Sequence, residues 1–379
     1  MKIAIVRTSN GSLDPHKYNV QEIGLGKSLI KLGVNVDLYS TFNSITSEVV
    51  FDRGESARLK LIPINGYCVK QITFYPNLIK KVLREDYDFI QVHEDSQLMG
   101  PLILSAAKDK GIKTILYQGM YKNFSGLGRI YQFIFDFFFK EKIKNNIDFI
   151  FAKTNEAKDY LNKKGYVNVE VRPIGLDFVK EQDSYSDFET IVRLKNKFQH
   201  LALYVGILEK RRDIIFLLEV LKELLALNNS LYLGFIIVGK GADLFKVKER
   251  IKDLELTDNV LIIDSVPNNE IGDIYKSCDL FLLPTHYEIY GMVVMEALYY
   301  GIPVISSRTA GPLDILKDLY LGQTIEMNKE IWMNTITKYL DSFKNKGEYK
   351  TKRKDFIISN YSWDNLAYNY LKEIKQIVG

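Results

Sequence analysis

Short apolar runs rich in β-branched residues alternate with longer stretches of helical spacing along the chain. Ile3 to Val6, Val34 to Tyr39, Phe89 to Val92 and Thr114 to Tyr117 form one series. A second runs through Leu201 to Val205, Tyr232 to Val238, Val260 to Ile263, Leu280 to Leu283 and Pro303 to Ser306. Strands that read as unbroken apolar runs are buried on both faces, and the helices between them supply the crossovers that parallel pairing requires. The pattern therefore predicts an α/β protein of two doubly wound, Rossmann-like domains. Polar, aperiodic residues from Glu181 to Asp187, just after Gly175-Leu176-Asp177, read as the linker, which sets the domains at 1–178 and 188–358. Residues 359–379 hold an amphipathic helix capped by Ser362, with Leu366, Tyr370, Ile374 and Ile377 at helical spacing. That helix either covers a nearby core face or returns to the first domain. In open sheets ligands bind beyond the carboxyl ends of the strands, so a central cleft between the domains is the expected site.

Composition narrows the classes. Among 379 residues, 46% are hydrophobic and 26% charged, the usage of an ordinary globular chain rather than a disordered or fibrous one. The net charge of +4 is too slight to suggest a nucleic-acid partner. Cys68 and Cys278 lie in opposite halves, which gives neither a disulfide framework nor a metal-ligand spacing. With no signal-like apolar core after Met1, a cytoplasmic protein is expected. The apolar run from Ile130 to Phe139 is interrupted by Asp136 and falls short of the roughly 18 residues needed to span a bilayer.

The most informative segment runs from Asp279 to Pro303. A buried strand ends at Pro284, a short loop carries Glu288, and a helix starts near Gly291 with Glu296 on an otherwise apolar face. Such a strand-loop-helix turn aims backbone N–H groups and a positive helix end at an anion. A carboxylate on an apolar helix face needs a partner such as a pair of hydroxyls, because burying it alone is costly. Two solvated helix glutamates are the competing reading.

Glu288 and Glu296, separated by seven residues and followed by Ala297, Gly301, Pro303 and Val304, resemble the hallmark of the GT-B glycosyltransferases of retaining family 4. The family pattern is close to P-S-x-x-E-G-F-G-x-x-x-x-E-A-x-x-x-G-x-P-V. Tyr204-Val-Gly206-Ile-Leu-Glu209-Lys-Arg211-Arg212-Asp is similar to the family's Y-V-G-x-L-E-x-R-K-N. Ile237-Val-Gly239-Lys-Gly241 and Pro173-Ile-Gly175-Leu-Asp177 resemble its I-V-G-x-G and P-N-G-V-D. The resemblance implies a GT-B fold and retaining transfer of a glycosyl group from a nucleotide-sugar, a UDP-sugar first, to a saccharide or lipid-linked saccharide hydroxyl in cell-envelope polysaccharide synthesis. It implies no cofactor and no required metal. A GT-B nucleotide-sugar epimerase and a non-catalytic nucleotide-sugar-binding subunit are the alternatives.

Roles follow residue by residue. The resemblance assigns Glu296 to the ribose hydroxyls, and Glu288, Ile289, Tyr290, Gly291 and Met292 to the donor sugar and distal phosphate. It gives the leaving diphosphate to Arg211 and Arg212, with Gly206 beside the donor. Guanidinium groups suit that task because they stay charged and bind oxygens in a forked geometry; a solvated basic turn is the bland alternative. Where relatives often carry a further arginine, this chain has Ile207. In the first domain Gly11 follows strand one, where a glycine lets the backbone approach a phosphate or sugar, although a tight surface turn explains it equally. His93 ends a strand in a segment resembling V-H-x-H-D, and Gln118 stands where many relatives have a histidine; both are expected near the acceptor or the sugar. Gly24-Leu-Gly26-Lys27-Ser28 lies within a helical stretch and lacks the upstream glycine of a phosphate loop. Asp86-Tyr87-Asp88 has a metal-binding spacing but sits at a helix-to-strand junction.

Residues 128–144 are apolar nearly all round and then basic, with Lys140, Lys142 and Lys144 at the end. Two readings stand side by side: a buried core helix, and a peripheral contact with the inner face of a membrane in which aromatics meet lipid and lysines meet anionic headgroups.

Overall fold

The computed structural model describes residues 1–9, 11–69, 72–93, 97–178, 187–228, 231–342 and 346–378. Asn10, Glu94, Asp95 and the expected linker at 181–186 lie outside the described residues, as does the side chain of Ile377. The chain divides into two compact units, Met1–Asp177 with Tyr361–Gly379, and Phe178–Asn360.

In the first unit the strands are β1 (Lys2–Arg7), β2 (Asn35–Ser40), β3 (Val49–Arg53), β4 (Arg58–Pro63), β5 (Tyr67–Val69), β6 (Ile72–Phe74), β7 (Phe89–His93), β8 (Lys113–Gln118), β9 (Phe149–Ala152) and β10 (Val169–Val171). Its helices are α1 (Gln21–Lys31), α2 (Leu78–Val82), α3 (Met99–Asp109), α4 (Leu127–Asn146) and α5 (Asn155–Lys163). Eight strands form one sheet in the order β10-β9-β8-β7-β1-β2-β4-β3, parallel except for β3 against β4, while β5 and β6 make a separate hairpin. Successive side chains point to opposite faces of a strand, so β1 feeds two cores. Ala4 and Val6 pack with Ile103 and Leu104 of α3, Phe135 and Ile143 of α4, and Leu161 of α5. Ile3 and Ile5 pack on the other face with Ile23 and Leu29 of α1.

The second unit holds β11 (His200–Val205), β12 (Leu233–Val238), β13 (Val260–Ile263), β14 (Leu280–Leu283), β15 (Val304–Ser307) and β16 (Gly322–Ile325). Its helices are α6 (Phe188–Lys197), α7 (Ile214–Leu227), α8 (Leu244–Asp253), α9 (Ile271–Ser277), α10 (Met292–Tyr299), α11 (Ala310–Ile315), α12 (Lys329–Ser342) and α13 (Lys346–Tyr361). The sheet order β13-β12-β11-β14-β15-β16 is parallel throughout and reverses direction between β11 and β14. That is the doubly wound order of a dinucleotide-binding fold, whose ligand crevice opens at the reversal.

The last helix, α14 (Trp363–Val378), belongs to the first unit. Its Ala367, Tyr370, Leu371 and Ile374 join the core of Ile3 and Ile5, and Asp364 accepts hydrogen bonds from Ser28 at 2.6 Å and Lys31 at 2.9 Å. The Trp363 ring lies against two glycines: a Cβ at Gly24 would stand 2.2 Å from it, and one at Gly175 2.4 Å. No helix among the described residues is long and apolar enough to cross a membrane.

Candidate functional site

At the reversal point of the second unit the loops after β11 and β14 are stitched together. Lys210–Arg212 forms a single 3-10 turn after β11, and the carbonyl of Arg211 accepts the His286 N–H at 2.9 Å. Arg211 Nη1 donates to the Tyr287 carbonyl at 2.7 Å, while its Nε pairs with Glu209 at 2.6 Å. Thr285, buried, donates through its hydroxyl to the same Tyr287 carbonyl at 3.1 Å, and His286 Nε2 sits 2.9 Å from Asp213. The contacts of Arg211 with His286 and Tyr287, and of Asp213 with His286, join residues more than 70 positions apart, which β11 and β14 bring together as paired neighbours.

Glu288 is at the centre of this knot. Its Oε2 lies 2.5 Å from Arg212 Nη1 and 3.9 Å from Arg211 Nη1, and its Oε1 accepts the Gly291 N–H at 3.1 Å. A carboxylate thus occupies the start of α10, where helix end and guanidinium groups both favour negative charge. Gly291 holds φ at +85°, a left-handed conformation that a glycine adopts without strain, and this turns the chain from the Glu288 loop into α10. Ile289 is half-buried, Tyr290 is buried, and Met292 opens the helix. Gly206 closes β11, its N–H donating to the Val238 carbonyl at 3.0 Å.

Glu296 is half-buried one turn into α10, and its Oε2 accepts the Tyr275 hydroxyl from α9 at 3.0 Å. Tyr275 is fully buried, so its ring fixes where that hydroxyl points. The hydroxyl partner demanded by a carboxylate on an apolar face is present, and it comes from a residue that sequence spacing does not reveal.

The first unit has its own reversal point, between β1 and β7. His93 ends β7 and is buried, with Nδ1 3.1 Å from Glu22 Oε1 and Nε2 2.7 Å from the Gln91 amide. The Tyr370 hydroxyl of α14 donates to Gln91 at 2.6 Å, and Arg7 Nε lies 3.7 Å from Glu22. Burial alone would raise the Glu22 carboxyl, but the hydrogen bond from His93 and the charges of His93 and Arg7 outweigh it and hold the group at about 2. Gln118, also buried, turns its Oε1 back onto the N–H groups of Gly119 at 2.8 Å and Met120 at 3.1 Å. Gly11 is exposed, and its carbonyl accepts from Arg7. Neither nitrogen of His93 reaches a ligand without giving up a buried partner.

The structure brings Arg211, Arg212, Glu288 and Gly291 into one cluster and His93 and Glu22 into another. Sequence reasoning missed Tyr275 and Glu22, and it gave no role to Glu209, which pairs with Arg211. No signal marks Glu22, because its partners arrive from two separate strands. Gly24 to Ser28 lie inside α1, and Asp88 accepts the Lys2 N–H at 2.6 Å in a structural role. Among the described residues, no group of three His, Cys, Asp or Glu side chains is set to hold a metal.

Residues 187–361 match the family described as glycosyl transferases group 1. An uncharacterised glycosyltransferase of Methanocaldococcus jannaschii is 25% identical over 170 residues, covering 45% of this chain but only 43% of that protein. Mannosylfructose-phosphate synthase of Agrobacterium fabrum is 25% identical over 336 residues, 79% of this chain and 73% of the relative. The crystal structure of HepE from Anabaena in complex with UDP superposes with a TM-score of 0.73 at 14% identity, covering 99% of this chain and all of that one. The chain thus has the GT-B fold, and its similarities support a glycosyltransferase whose second unit carries the group 1 match.

Proposed function

We propose that the chain is a retaining glycosyltransferase of family 4 that moves a sugar from a nucleotide donor, a UDP-sugar first, to a hydroxyl of a saccharide or lipid-linked saccharide in cell-envelope polysaccharide synthesis. The observation that carries the reading is the Arg212–Glu288 pair at the reversal point of the second sheet, with Arg211 at its side. Breaking a glycosyl phosphate bond leaves negative charge on the diphosphate as the sugar becomes cation-like, and fixed positive charge lowers that barrier. Arg211 and Arg212 supply such charge without a metal. An entering diphosphate competes with Glu288 for Arg212, and the exchange releases a carboxylate beside the sugar. Glu296, oriented by Tyr275, takes the ribose hydroxyls. The UDP held by HepE supports the donor class, and the acceptor class rests on the family resemblance.

A panel of nucleotide-sugars, with and without saccharide acceptors, tests the reading by nucleotide release. Acceptor-dependent release that persists in chelator, with Arg212→Ala lowering kcat/KM by about 2–4 kcal/mol of transition-state stabilisation, is expected. Donor turnover without acceptor supports the epimerase instead, and binding without turnover supports a non-catalytic subunit.

A further inference from the structure

Helix α4 is not the buried helix that its composition allowed. Of its 20 residues, only Gln132, Phe135 and Ile143 are buried. The opposite face presents Leu127, Ile130, Phe133, Ile134, Phe137 and Phe138, which are exposed by 84, 59, 73, 50, 77 and 66%. Their positions follow i, i+3, i+4, i+7 spacing and make one continuous stripe. A stripe of this size on a soluble face marks an interaction surface rather than a scattering of exposed side chains.

Charge decides what covers it. Arg129 and Lys142 are exposed and Lys140 half-exposed, and none of the three has an acid within salt-bridge distance among the described residues. The two acids of the helix are already neutralised, Asp136 by Lys164 at 2.8 Å and Glu141 by Lys144 at 3.1 Å. On the helix, Arg129 and Lys140 fall along one border of the stripe and Lys142 along the other. We infer that α4 is a docking face for an anionic lipid bilayer, lying in the plane of the surface with its aromatics among the acyl chains and its basic borders against headgroup phosphates. A second copy of the chain fits less well, because an isologous contact sets the same basic borders against each other. The inference does not depend on the transfer reaction, and vesicle binding without donor or acceptor reads it separately.

Flotation of the full chain with phosphatidylcholine vesicles, and with phosphatidylcholine mixed with phosphatidylglycerol, tests it at low and high salt. The expected result is flotation with the anionic vesicles at low salt. Phe133→Ser combined with Phe137→Ser lowers the bound fraction by at least about tenfold, since two phenyl rings no longer enter the apolar layer. Arg129→Glu with Lys140→Glu removes the salt-sensitive part of binding and leaves the apolar stripe intact. Both double variants keep the wild-type thermal transition by circular dichroism. Absence of flotation at any composition overturns the proposal, as does flotation undiminished in both variants. A wild-type dimer that Phe133→Ser with Phe137→Ser dissociates, with no vesicle binding, overturns it in favour of a second copy.

Discussion

Glu288 and Glu296 carry the same functional group and meet different surroundings. Glu288 neutralises Arg212 and caps Gly291 in the free protein, so a diphosphate that claims Arg212 gains no competitor when the carboxylate is removed. Glu288→Gln is therefore expected to leave affinity for free UDP undiminished while slowing single-turnover transfer by about 100-fold, the usual scale for losing one charge contact at a reacting centre. In the proposed reaction Glu296 holds the ribose hydroxyls, contacts that would be present both before and during transfer. Glu296→Gln should weaken UDP binding by about tenfold with little change in rate at saturating donor. Tyr275→Phe should act in the same direction but less, because it removes only the hydroxyl that orients Glu296. Calorimetry with UDP and single-turnover rates check all three, and an effect on the opposite quantity reverses the assignments. Glu22 makes a different prediction. Its folded carboxyl sits at about 2, below the 4.5 of the free group, so its stabilising effect is full above pH 4.5 and is lost as pH falls toward 2. Glu22→Gln should cost on the order of 3 kcal/mol at neutral pH, by breaking a buried pair, and should flatten the pH dependence of urea unfolding between those values.

Elements differ in how much of them the sequence discloses. Strands buried on both faces, such as β1, β11 and β14, read directly as apolar runs. The antiparallel edge strand β3 is partly exposed along its length, and β5 and β6 have three residues each, so no periodicity announces them. Helix α4 shows the limit most clearly. Its composition is apolar on nearly every side, and only tertiary packing decides that Phe135 and Ile143 turn inward while Phe133 and Phe137 turn outward. The site divides in the same way: the spacing of Glu288 and Glu296 lies in one short segment and is legible, as are Arg211 and Arg212. Their convergence depends on β11 pairing with β14, which no local pattern encodes. Tyr275 comes from a third element. The turn into α10 gives an element-scale test. Gly291→Ala places a Cβ at φ +85°, 3.3 Å from Val294 and 3.5 Å from Glu288, so both backbone strain and the Glu288 side chain are disturbed. It should destabilise the second unit by about 1–2 kcal/mol and lower the transfer rate, measurable by denaturant unfolding beside kinetics.

At the scale of the whole molecule, the chain leaves its first unit at Asp177 and re-enters it at Tyr361. Helix α14 is therefore a non-local piece of the first core, although it follows the second unit in sequence. Ala367, Tyr370 and Ile374 are essentially buried against α1 and the sheet, and Trp363 fills the space left by Gly24 and Gly175. Tyr370 also donates into the Gln91 amide that holds His93. Removing residues 361–379 opens apolar surface on β1 and α1 and withdraws one hydrogen bond from the buried His93–Glu22 network. Losing several core side chains at once is large beside the roughly 5–15 kcal/mol by which a domain is stable. The truncated chain is expected to lose the unfolding transition of the first unit, while the second, whose sheet and arginine–glutamate cluster lie within Phe178–Asn360, keeps its own transition and its affinity for UDP. Calorimetric scans with and without UDP check both halves of this expectation: a UDP-stabilised transition surviving the truncation assigns the nucleotide to the second unit. Loss of both transitions together shows that the second unit draws its stability from the first.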